Sequence, residues 1–291
     1  MKRLFILALA GAASVALAQE IKAPNDIPPV RGDVPPATGG PDTFGYVYAD
    51  STTAQCAFDF IDITDSGASV VSGDDTSAAV NLPGSSLDFY GETVTDIAIS
   101  TNGYLSTDPT DSGGDLSNDC PLPAVPSTGA GGRYYPVQDD LITADGLFEY
   151  FPTCPRSSGA VADEGCYVFQ WNGTEHFGGG GETFSFQALL YDTSFAIVYQ
   201  FGAGNPEEGA GSTTGIQNAA FDDGLTYACD VPTPVTAGDG GVCFYHPDFP
   251  FTGGEQPEST PIPTLSTWGL LALVLTMMVL ATGFLVGGRK A

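Results

Sequence analysis

Three Asp-Asp doublets, two histidines and six cysteines carry most of the potential chemistry in this 291-residue chain. The doublets are Asp74-Asp75, Asp139-Asp140 and Asp222-Asp223, and the histidines are His176 and His246. Paired carboxylates suit acid–base work on a glycosidic bond or the holding of a hard cation such as Ca2+. The first task needs a partly buried cleft, and no sequence signal marks out one pair for it. For the second, Asp74, Asp75, Asp139 and Asp140 are the candidate ligands, without the D-x-D-x-D-G spacing of a Ca2+-binding hand. Each doublet also fits a plain turn, where Asp bonds its own backbone. No C-x-x-C occurs and neither histidine has ligand-like neighbours, so no metal site through Cys or His is expected. No G-x-S-x-G elbow precedes a helix pattern. The expectation is therefore no catalytic residue, and no cofactor apart from Ca2+.

The charge balance narrows the partners. The net charge is −27, and all 35 acidic residues lie between Glu20 and Glu258, where the only bases are Lys22, Arg31, Arg133 and Arg156. Such a surface repels phosphate backbones, which excludes nucleic acid as a partner. It suits a solvated exterior in a cation-rich medium.

The two ends of the chain set where those groups work. Lys2-Arg3, an apolar run from Leu4 to Val15 and Ala16-Leu17-Ala18 form a signal peptide over residues 1–18, cleaved before Gln19 by the general secretion machinery. An even number of cysteines in an exported chain implies disulfides. Short loops favour Cys154–Cys166 and Cys229–Cys243, which leaves Cys56–Cys120. Residues 19–44, rich in Pro, Gly and Asp, read as a flexible leader, and residues 252–261 as a polar stalk.

At the far end, Trp268 to Val286 is uncharged and apolar on every helical side. A helix of that length rises roughly 28 Å, which matches a bilayer core. Arg289 and Lys290 follow it, and the positive-inside rule puts them in the cytoplasm with the body on the other side. Ile262-Pro263-Thr264-Leu265-Ser266, then Trp268-Gly269, the span and the basic end together resemble the IPTL-CTERM sorting domain, a bacterial relative of the PEP-CTERM signals. Thr267 stands where that family often has an acidic residue. The resemblance implies that residues 262–291 are a substrate of an exosortase-type membrane transpeptidase. The single-pass precursor would then be processed to a cell-surface or extracellular protein.

Between leader and stalk the signal is β. Short runs rich in Val, Ile, Tyr, Phe and Thr, such as Ala57–Ile63, Ala78–Leu82, Leu87–Tyr90, Val94–Ser100, Cys166–Trp171 and Ser212–Gln217, are parted by Gly, Asp, Asn and Pro. Thr183–Tyr191 and Ser194–Phe201 alternate apolar and polar residues and predict a hairpin with one face buried. Asn102-Gly103 is a turn signal. No stretch of the body shows a helical period over three turns. Residues 45–251 are therefore expected to form an all-β ectodomain, a β-sandwich or jelly-roll, followed by one C-terminal transmembrane helix over residues 268–286.

Leu87-Asp88-Phe89-Tyr90-Gly91-Glu92, Val94–Ser100 and Asn102-Gly103-Tyr104-Leu105 resemble the core motif of nidogen-like secreted β-sandwich modules. Pro136-Val137-Gln138-Asp139-Asp140-Leu141 resembles their P-x-W-D-D-L segment, with Gln138 in place of the aromatic residue. Val168-Phe169-Gln170-Trp171 and Gly215-Ile216-Gln217-Asn218 fit later strand motifs. Over residues 57–220 this resemblance implies an extracellular, matrix-like module with no general catalytic role. The function expected is structural or adhesive, at the surface or in a matrix. The alternative is a module that binds or hydrolyses glycans, so matrix or surface glycans are the expected ligands.

Overall fold

A computed structural model describes residues 35–251, so the signal peptide, the stalk, the sorting motif Ile262–Ser266 and the predicted span lie outside the described residues. Within them no helix is long and apolar enough to cross a membrane. The chain runs through β1 (Thr38–Gly39), β2 (Val47–Asp50), β3 (Ala68–Asp74), β4 (Ser77–Asn81), β5 (Leu87–Phe89), β6 (Glu92–Val94), β7 (Asp96–Ser100) and β8 (Leu105–Ser106). It continues through β9 (Arg133–Gln138), β10 (Leu141–Phe151), β11 (Cys166–His176), β12 (Phe184–Tyr191), β13 (Ile197–Phe201), β14 (Thr213–Gln217), β15 (Gly224–Cys229) and β16 (Gly240–Tyr245).

These strands make an all-β sandwich. One sheet has the order β1-β2-β16-β13-β12-β11-β10-β3, the other β15-β14-β9-β8-β7-β4, and β5 pairs with β6 in a small ribbon. Every ladder is antiparallel. The first strand falls within the stretch read from sequence as leader.

The main core lies between the two sheets. Phe169, Trp171, Phe186 and Tyr199 of the larger sheet meet Ile97, Ile99, Tyr134 and Ile216 of the smaller one. Polar tips cross this core to backbone acceptors, as buried Tyr and Trp require. Trp171 Nε1 donates to Ser100 O at 2.6 Å, and Tyr199 Oη donates to Gly215 O at 2.9 Å.

The predicted hairpin is present as β12 and β13, with Ala188 opposite Tyr199. The expectation of a single buried face is corrected: both faces are covered. The alternation sorts side chains between two apolar clusters. Phe186, Ala188, Leu190, Ile197 and Tyr199 face the main core. Leu189, Tyr191, Ala196 and Val198 face a second cluster with Ile63, Cys166 and Tyr245.

The second cover is the segment Ala57–Ile63, which sequence composition predicts as a strand. It is an extended strap that lacks strand pairing, because its partners are side chains. Gln170, Gln187 and Gln200 stand in one cross-strand row on β11, β12 and β13. Their amide oxygens accept from the backbone N–H of Ile63 (3.0 Å), Ile61 (2.9 Å) and Asp59 (3.1 Å).

All six cysteines are paired. Cys154–Cys166 is as predicted, but the other two expected pairs are corrected to Cys56–Cys243 and Cys120–Cys229. Sheet order outweighs loop length here. Cys229 ends β15 in the smaller sheet, whereas Cys243 lies on β16 in the larger. Cys56 follows β2, the neighbour of β16.

Candidate functional site

The two strongest local motifs of the sequence meet at one end of the sandwich. β9 belongs to the smaller sheet and β10 to the larger, so Asp139-Asp140 is the point where the chain crosses between them. Asn102-Gly103, the turn between β7 and β8, braces that crossing. Asn102 Oδ1 accepts from Leu141 N at 2.9 Å, and its Nδ2 donates to Gly113 O at 3.0 Å and Asp75 Oδ1 at 2.8 Å. Gly103 has φ +71°, and a Cβ there would collide with the Val137 carbonyl. Only glycine fits that backbone and that approach.

Gln138, standing where the resembling modules have an aromatic residue, is fully buried. Its Nε2 donates to Ser117 O at 2.9 Å and Asp115 Oδ2 at 3.2 Å, and its Oε1 accepts from Asp119 N at 3.1 Å. It thus pins the long segment 107–132, which covers the outer face of the smaller sheet over Tyr104 and Tyr135. A polar clamp takes the place of an apolar plug. Burial, with the charge of Asp115 next in effect, pushes the Asp119 carboxyl up to about 7.

The four carboxylates singled out from the sequence divide into two neighbouring groups. Asp74, Asp75 and Asp140 bring carboxylate oxygens within 4.8 Å of one another, with the first two exposed and Asp140 buried. Burial of its carboxyl and the charge of Asp75 raise the pKa of Asp74. Asp139 turns to a different partner. Its Oδ1 accepts from Asp140 N, and its Oδ2 lies 2.7 Å from His176 Nδ1. Glu207 Oε2 is 3.7 Å from the same nitrogen, and His176 Nε2 is 3.2 Å from Asn205 Oδ1. Phe184 stacks on the imidazole at 5.1 Å between centroids. Burial disfavours the charged imidazole, but the hydrogen bond and charge of Asp139 outweigh it, so the His176 pKa is raised.

His176 is singled out in the sequence but has no ligand-like neighbours along the chain, and Asn205 and Glu207 carry no local signal. The two closest contacts of His176 span 37 and 29 residues of the chain. The one usable signal is strand register: Leu141 pairs with His176, which sets Asp139 and Asp140 beside the end of β11. The third doublet plays another part. Asp223 accepts from Thr43 N and Phe44 N, tying down the segment before β2, while Asp222 bonds Asn218 within its turn.

His246 is buried among Phe44, Tyr46, Phe195 and Phe249, with Nε2 at 3.4 Å from Asp88 Oδ1. Arg133, also buried, forms an ion pair with Asp111 at 2.5 Å and lies 4.7 Å over the Tyr104 ring. Both side chains are buried.

Residues 47–240 match a family model described as NIDO related. No curated protein and no solved structure matches the chain.

Proposed function

The chain belongs to the NIDO-related family, and from that premise we propose that its body is a structural or adhesive module of the cell surface or matrix. The coarser part rests on direct observation: a disulfide-bonded domain of this family fits an exported, extracellular protein. The feature that best supports the finer reading is the double cover of the sandwich. The strap and the segment 107–132 cover the outer faces of the two sheets; Cys56–Cys243 fastens the first and Cys120–Cys229 the second. Such a body is built to persist outside the cell and to present an acidic exterior.

In this reading the sorting tail carries the body to its place. Processing at Ile262–Ser266 by an exosortase-type enzyme would release it from the membrane to the surface or exterior. Replacement of Pro263 by Ala should leave the full-length precursor in the membrane fraction; unaltered release would overturn motif-directed sorting.

The adhesive role is tested by deleting the protein from its producing cells and measuring attachment and matrix cohesion. Loss of either, restored by the wild-type chain, supports the reading. Hydrolysis of a glycan by the purified protein, abolished by one Asp or Glu substitution, would replace it with a carbohydrate-active function.

A further inference from the structure

We propose that His176, Asp139 and Glu207 form a binding site for a divalent metal of the zinc type, held in position by Asn205. The argument starts from Asn205, which is buried. Its Nδ2 donates to Thr236 O at 3.2 Å, which fixes the amide so that Oδ1 faces His176 Nε2 and Glu207 N, both at 3.2 Å. An amide oxygen only accepts, so His176 must carry its hydrogen on Nε2. The Nδ1 lone pair of the neutral ring then points at two carboxylates, Asp139 at 2.7 Å and Glu207 at 3.7 Å. Three electron-rich atoms facing one another require a cation between them. In the absence of metal a proton on Nδ1 meets that need, and a divalent ion that displaces it meets it more completely.

The space and the donor types agree with a metal. The three ligand atoms lie within 4.8 Å of one another. Separations of 2.7 and 3.7 Å bracket the edge of roughly 3.3 Å expected for a tetrahedron with bonds of about 2.0 Å. Gly211 leaves the carboxylates uncovered: a Cβ built on it would lie 2.8 Å from Glu207 Oε2 and 3.6 Å from Asp139 Oδ2. His176 and Asp139 are buried, whereas Glu207 is 41% exposed, so the group can be reached from solvent on the Glu207 side.

One imidazole and two carboxylates suit zinc better than the all-oxygen shell that Ca2+ prefers. Asn205 plays the part of the outer partner that orients a ligating histidine and sets its tautomer. The strongly acidic exterior raises the local concentration of any cation. The oxygen-only group Asp74, Asp75 and Asp140 is a separate cluster and a control for non-specific uptake.

The test uses the full-length protein, freed of metal by a chelator and titrated with Zn2+ and with Co2+ as a spectroscopic probe. Saturable uptake of one ion per chain is expected, with visible Co2+ bands of a nitrogen–oxygen site and no displacement by excess Ca2+. Glu207→Gln, at an exposed position, should weaken binding at least tenfold without changing the fold. Asn205→Ala should weaken it about 10–100-fold, and Gly211→Ala should obstruct it. His176→Gln should abolish the Co2+ bands; should that variant fail to fold, Glu207→Gln alone decides. No saturable binding, or binding untouched by Glu207→Gln, would overturn the proposal and leave the cluster as a proton-bridged ion pair.

Discussion

Gln187 holds Ile61 as one strand holds its neighbour, accepting from its N–H and donating to its carbonyl, each at 2.9 Å. A side chain thereby performs the work of a backbone. Gln170 adds a grip on the same strap through Ile63 N and Asp62 Oδ1, both at 3.0 Å. Replacing Gln187 by Ala should lower stability by about 2–4 kcal/mol, because two backbone groups of Ile61 lose their partners at 1–3 kcal/mol each. Hydrogen exchange should show Ile61 and its neighbours losing protection first. Protection equal to wild type would mean that the strap is held by other contacts.

Removal of Cys56–Cys243 should loosen the same cover from its end. The double substitution Cys56→Ala, Cys243→Ala is expected to cost about 2–4 kcal/mol. Limited proteolysis should then cut within residues 57–63. Peptide mapping of the unreduced protein checks the connectivity directly, with Cys120 joined to Cys229 and Cys154 to Cys166.

Asp111 is the counter-charge of buried Arg133. Asp111→Ala strands that guanidinium in the interior and should destabilise the fold by about 3–5 kcal/mol, as broken buried pairs do. Adding Arg133→Met should recover much of the loss, measured by chemical denaturation. A double variant no more stable than Asp111→Ala would show that Asp111 acts chiefly through its bonds to Tyr104 and Gly113.

Asp119 gives a pH dependence of defined sign. Its carboxyl titrates at about 7 in the folded state against 3.8 as its ordinary value. Between those two values the native state holds the extra proton, so stability falls as pH rises from about 4 to 7. Asp119→Asn should flatten that slope and raise stability at pH 7, where the buried carboxyl would otherwise begin to ionise. A slope unchanged in the variant would assign it to other groups.

The alternating segments were legible because period 2 survives whatever lies on either face. Phe186 and Leu189 point to opposite sides in the structure as they do in the pattern. Composition gave the strap a strand signature but could not show that it covers the second side, since its partners are Gln side chains and not a strand. The turn Asn102-Gly103 and the segment Pro136–Leu141 were both visible, but not that they touch, because Asn102 meets Leu141 across 39 residues. The disulfides expected from short loops failed where sheet order decides proximity, as with Cys229 and Cys243. The grouping around His176 escaped for the same reason: its partners come from the β9–β10 crossing and from the loop after β13.

β2, which follows the two-residue β1, and β16, the last strand, lie side by side in one antiparallel ladder. A pull applied between residue 35 and residue 251 therefore reaches that pair early. β16 is also hydrogen-bonded to β13 on its other side, and Cys243 is bonded to Cys56, 187 residues away in sequence. Tension passes through that covalent bridge and bypasses everything between the two cysteines. Strands β3 to β15 are thus kept out of the line of force, and the cluster at the loop end would keep its geometry while the ends are stretched.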